Sequence, residues 1–138
     1  LGVRVRVAIR HGSSTVTTTA LVNSGYESEE AEVHIPLALA RRLGLSLERL
    51  RAERYRAVGH EVSAYVLGRV EVRVITEDRQ SEWVRARAVS VPGEMEVLLG
   101  DAIIEELGIE IVKPRSGLWR FAGEEGVRGS EEPEYWVE

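Results

Sequence analysis

The chain has 138 residues, 43% of them hydrophobic and 30% charged, which is the size and balance of one ordinary globular domain. It holds no cysteine, which excludes disulfides, thiolate chemistry and cysteine-ligated zinc or iron–sulfur clusters. The formal charge is −5, and residues 123–138 carry all of it with six Glu and one Arg; the rest of the chain is neutral and poorly suited to neutralising a phosphate backbone.

The basic residues are 17 Arg and the single Lys113, and Asp occurs only at Asp78 and Asp101. No apolar run approaches the ~18 residues that a membrane span needs. The opening LGVRVRVAIR lacks the apolar segment of a signal peptide, so a cytoplasmic location is expected.

Val3, Val5, Val7 and Ile9 alternate with Arg4, Arg6 and Arg10, the pattern of a half-buried strand. His11-Gly12-Ser13-Ser14 is a turn, and the β-branched run Thr15 to Val22 completes a hairpin. Asn23-Ser24-Gly25 ends it with turn chemistry. After an acidic stretch, Pro36 opens a short helix whose apolar face is Leu37, Leu39, Ala40 and Leu43 and whose stop is Gly44.

Strand patterns resume from Glu53, break at Val58-Gly59-His60, and continue through Val62–Val66 and Val70, Val72 and Val74. Residues 77–82 read as a turn, and Trp83 to Val91 as a further strand. Val97-Leu98-Leu99-Gly100 is a short apolar strand. Asp101 is expected to cap a helix with Ile103, Ile104 and Leu107 on its buried face, ended by Gly108. Two short strands follow, at 109–112 and 118–121. The Gly- and Glu-rich residues 123–138 read as an acidic, loose tail that could dock through Tyr135-Trp136. Many short strands with two short helices predict an all-β barrel or sandwich.

Four of these segments, in order, resemble the retropepsin-like aspartic peptidases, in particular the cellular and archaeal branch. Ala20 to Gly25 stands where that family has an apolar strand followed by Asp-Thr/Ser-Gly. Ile35 to Leu45 is similar to its helix, Tyr55 to Tyr65 to its flap, and Val97 to Gly108 to the strand–glycine–helix motif that buttresses the catalytic loop.

The resemblance spans residues 3–121. It implies an all-β, closed retropepsin-like barrel with two short α-helices over residues 1–122, and a homodimer with one loop from each protomer at the dyad. It implies no cofactor and no metal, and an extended peptide or protein as substrate. Asn23, Ser24 and Gly25 then fall at the catalytic loop, and Val58, Gly59 and His60 at the substrate-covering flap. Nucleic acid and membrane are not expected as partners.

The departure is Asn23, which stands where the family has its catalytic Asp. Two facing carboxylates share one proton, and the ionised one takes a proton from water while the other polarises the scissile carbonyl. An amide is not basic near neutral pH and cannot exchange these roles. Three readings stay open. The chain is a natural non-catalytic relative that binds peptides; or it is an active endopeptidase whose native Asp has been replaced; or it shares only the fold and serves as a scaffold.

Simpler readings stand beside these. Taken alone, Asn23-Ser24-Gly25 is a turn and Gly59 a hairpin glycine. His11, His34 and His60 have no metal-ligand spacing. No nucleophile elbow or phosphate loop is present. The Arg-rich strand faces read as solvated and paired with Glu.

Overall fold

A computed structural model describes residues 2–23, 25, 27–45, 51–57 and 60–137, with the side chains of 51–57 and 60–63 outside the description. Strand β1 (Arg4–His11) turns at Gly12-Ser13 into β2 (Ser14–Val22), and the two pair antiparallel along their whole length. Their alternation puts Val5, Val7 and Ile9 opposite Ala20, Thr18 and Val16, and this apolar face lines the core.

After the loop at residue 23 come β3 (Glu32–His34) and helix α1 (Leu37–Arg42). β4 (Arg51–Ala57) and the long β5 (His60–Val74) form an antiparallel hairpin. β6 (Val84–Ser90), β7 (Val97–Leu99), helix α2 (Asp101–Glu106), β8 (Ile109–Lys113) and β9 (Leu118–Phe121) complete the order.

Six strands close a ring in the order β1-β2-β7-β3-β6-β5, and β5 pairs back onto β1 through Val7↔Val74 to Arg10↔Glu71. The described residues thus form the expected β-barrel with two short helices. Closure removes the sheet edges that would otherwise template aggregation. β4 lies outside the ring, on the part of β5 that has left the barrel. β8 and β9 form a separate ribbon.

The core runs through the ring and out to the helices. Leu39 of α1 and Ile103 of α2 are completely buried. Trp119 and Phe121 of β9 meet edge to face, 5.0 Å between ring centroids. Each helix stops at a Leu-Gly step: Gly44 and Gly108 take φ of +75° and +76°, where a side chain would be strained, and their N–H groups donate to Arg41 and Glu105 carbonyls.

Two local expectations change. The apolar runs at 62–66 and 70–74 belong to a single strand, β5, which absorbs Leu67-Gly68 as a bulge between Val66 and Gly68. Asp101 does not cap α2: Gly100 occupies the cap, with no side-chain hydrogen bond, and Asp101 is the first helical residue. Its negative charge still favours the positive end of the helix.

Residues 128–136 lie along the barrel. Glu131 N–H donates to the Arg4 carbonyl, Glu134 N–H to Thr19 Oγ1, and Trp136 N–H to the Met95 carbonyl. The Trp136 indole docks with Nε1–H donating to Thr18 Oγ1 at 3.0 Å. Among the described residues no helix is long and apolar enough to cross a membrane.

Candidate functional site

The loop that begins at Asn23 owes its position to a threaded strand. β2 and β3 are joined by this loop but do not pair with each other. β7 lies between them, parallel to β2 (Ala20↔Val97, Val22↔Leu99) and antiparallel to β3 (Val33↔Leu99, His34↔Leu98). The loop therefore arches over the end of β7, where the Asn23 N–H donates to the Leu99 carbonyl at 2.9 Å. Val22 N–H donates to the Val3 carbonyl, tying the same corner to the start of β1. Leu99 is fully buried, so this support sits on the core.

Within the loop, Gly25 N–H donates to Asn23 Oδ1 at 3.1 Å. This Asx turn fixes the amide: the oxygen faces inward to the backbone and the Nδ2 donors are turned away from it. Asn23 is half-buried and Gly25 exposed. Ser24 lies outside the described residues, as do Val58 and Gly59. His60 opens β5, its backbone opposite Ala57 at the end of the β4–β5 hairpin.

Of the expected catalytic-loop residues Asn23, Ser24 and Gly25, the first and last are joined by this hydrogen bond. The hairpin expected as a flap leaves the ring beside Ser90, since Tyr65 is the last β5 residue opposite β6.

The rim around the loop is acidic. Glu27, Asp101 and Glu105 line one shallow hollow of about 340 Å³ together with Ser28 and Ala102. Ser28 Oγ donates to the Glu30 carbonyl, and Glu30 pairs with Arg69 at 2.9 Å. Asp101 stands two residues after Leu99, the residue that holds Asn23, and opens α2. Its nearness to the loop shows only when β7 is seen threaded between β2 and β3.

A second polar pair was not anticipated. The His34 side chain, 6% exposed, lies with Nδ1 2.8 Å from Glu94 Oε1 and fastens β3 to the loop before β7. Arg4 pairs with Glu96 on the same loop, and the guanidinium is held above its usual range chiefly by that hydrogen bond. Among the described residues no group of three or more His, Cys, Asp and Glu is arranged to hold a metal ion. No family model matches this chain, and no curated protein matches it.

Proposed function

We propose that this chain is a retropepsin-like protein with little or no hydrolytic activity, which holds extended peptides in the cleft of a homodimer. One observation carries the reading: the Asn23 loop arches over a strand threaded between β2 and β3, and is held there through Leu99. Support of this kind would hold one Asn23 side chain per protomer in place at a dyad. The Gly25 hydrogen bond to Asn23 Oδ1 adds to it, because a carboxylate at position 23 could accept the same bond.

In this reading Asn23 supplies hydrogen-bond donors where the family supplies an acid and a base. Peptides bind by adding a strand beneath the β4–β5 hairpin, with backbone hydrogen bonds giving affinity. Val58, Gly59 and His60 are the hairpin residues assigned to that contact. The alternative of an active endopeptidase requires an Asp in place of Asn23.

A scaffold reading is favoured by one separate observation. The N–H groups of Glu131, Glu134 and Trp136 donate to Arg4, Thr19 and Met95 of the same chain, so this segment is used within one protomer.

The deciding experiment has two parts. Sedimentation of the purified chain shows whether it dimerises. Asn23→Asp is then assayed on a peptide library between acidic and neutral pH. Cleavage by Asn23→Asp and none by the chain as written supports the proposal. A monomer that binds no peptide supports the scaffold. Cleavage by the unaltered chain refutes the role given to Asn23; if Asp101→Asn abolishes that cleavage, the acid is Asp101.

A further inference from the structure

Residues 131–136 cross the barrel wall without joining its sheet. They are held as a bound peptide is held, by three kinds of contact. Arg6 donates from Nε to Glu131 Oε1 and from Nη1 to Glu134 Oε1, both at 3.1 Å. The main chain is caught at Glu131 by the Arg4 carbonyl, at Glu134 by Thr19 Oγ1 and at Trp136 by the Met95 carbonyl. The Trp136 ring packs against the core, with its own N–H on Thr18. An aromatic anchor in a pocket, beside a charged clamp and main-chain bonds, is the anatomy of a docking site between proteins. Here one chain supplies both halves.

The seat is larger than its occupant. Past Trp136, the side chains of Leu37, Ala38, Val91, Pro92, Met95 and Val137 border a mainly apolar hollow of about 210 Å³. Met95 is 45% exposed and Val137 69% exposed, so the chain's own segment leaves this hollow open. A bulkier apolar side chain in place of Val137 would bury more surface there.

Release of the segment is a local event. Ser130 Oγ donates to the Gly117 carbonyl at 2.5 Å and accepts the Arg4 N–H, and Arg128 N–H donates to the Trp119 carbonyl. These bonds fix the chain up to residue 130, so residues 131–137 can leave the wall while the β8–β9 ribbon stays fastened. The same bonds leave no slack between Ser130 and its own barrel, which favours a separate protein over a second copy as the incoming ligand.

We infer that the wall groove formed by Arg6, Thr18, Thr19 and Met95 docks an extended segment of a protein partner, one that carries two acidic residues, then a tryptophan, then a bulky apolar residue. The chain's own residues 131–137 are the resident occupant that this partner displaces. The groove lies on the wall of a single protomer and does not depend on the peptide cleft proposed above.

The test is fluorescence anisotropy with the labelled peptide Glu-Glu-Pro-Glu-Tyr-Trp-Phe, titrated with the full chain. Two variants free the seat, Trp136→Ala and Glu131→Gln/Glu134→Gln, and circular dichroism checks the fold of each. Saturable binding is expected, about tenfold or more tighter to either variant than to the parent, because the resident segment no longer competes. The Glu pair lies at the surface, so the test stands even if Trp136→Ala does not fold. Adding Arg6→Gln to Glu131→Gln/Glu134→Gln is expected to weaken binding by about tenfold. Ending the peptide in Val in place of Phe should weaken it, and Ala in place of its Trp should abolish it. Absence of saturable binding to the folded variants overturns the inference, as does binding that ignores Arg6→Gln or the loss of the peptide's Trp. Self-association of the parent that disappears in Trp136→Ala, read by sedimentation, also overturns it and assigns the groove to a second copy.

Discussion

The N–H of Gly25 donates to Oδ1 of Asn23 across 3.1 Å, so the side chain that matters most in the proposed site is oriented by the backbone two residues on. Its amide presents donors outward. A carboxylate in the same place would keep the inward bond and turn its second oxygen outward, free to act as a base. Asn23→Asp is therefore expected to fold as the parent does. In the proposed dimer it gains cleavage by at least the ~10²–10⁴ that a positioned general base contributes. Two facing carboxylates raise one of their pKa values. Cleavage should then be strongest on the acid side and fall as pH rises through that raised value, which a pH–rate profile reads directly.

Much of the fold was legible because its signals are local. Alternation in Val3–Ile9, the β-branched run of β2 and the Leu-Gly stops at Gly44 and Gly108 each depend on neighbours a few residues away. The threading of β7 between β2 and β3 was not legible, because three residues of apolar strand carry no mark of their partners. The docking of Trp136 on Thr18 spans 118 positions, and only its aromatic character hinted at it. For the site, the sequence could group Asn23 with Gly25. It could not show the orientation of the amide, which depends on how the loop folds back on Gly25, or bring Asp101 near the loop, which depends on the placement of β7.

Arg128 predicts how the fold responds to acid. Its guanidinium donates to both oxygens of Asp78, at 2.7 and 3.0 Å, and to both of Glu124, at 2.9 and 2.6 Å. The hydrogen bonds from Arg128 are the leading cause that lowers Asp78 from 3.8 to about 2 and Glu124 from 4.5 to about 2. A carboxylate with a depressed folded-state pKa adds stability above its unfolded pKa and loses it as pH falls toward the folded one. Thermal melts should therefore show Tm falling between about pH 4.5 and 2. In Glu124→Gln that fall should be shallower. The Asp78 side chain is 69% exposed and its share is weakened by salt, so Asp78→Asn should change the profile less.

The segment that ends the described chain is expected to act as a closing piece of the barrel. β7 opposes β2 only at Ala20–Val22, and Trp136 reaches Thr18 just beyond, between β2 and Met95. The ring packs against the core and its N–H is satisfied, so Trp136→Ala loses both. A destabilisation of about 1–3 kcal/mol is expected for this half-buried residue, below the range for a fully buried aromatic. Limited proteolysis should then cut residues 123–135 faster than in the parent. Thr18→Val keeps the shape and removes only the acceptor, so a smaller loss of about 1 kcal/mol is expected. Unchanged melting and proteolysis in Trp136→Ala would show that the barrel closes without this segment.

Leu99 joins stability to the site and separates the two in a single variant. Its side chain is completely buried, between Val22 on one side and Val33 on the other, and its carbonyl holds the Asn23 N–H. Leu99→Ala leaves a cavity directly beneath the loop and is expected to cost about 2–5 kcal/mol, measured by denaturant unfolding. The backbone acceptor survives the change, so the loop keeps its hydrogen bond but loses the packing that stiffens it. Made in the Asn23→Asp background and assayed where the protein remains folded, Leu99→Ala should lower kcat more than it raises KM, because a poorly positioned acid harms the transition state more than peptide binding. Leu39→Ala, on α1 and equally buried, supplies the comparison: a similar loss of stability with kcat retained. If both variants lose kcat alike, general loosening of the barrel explains the effect and β7 has no special part in holding the loop.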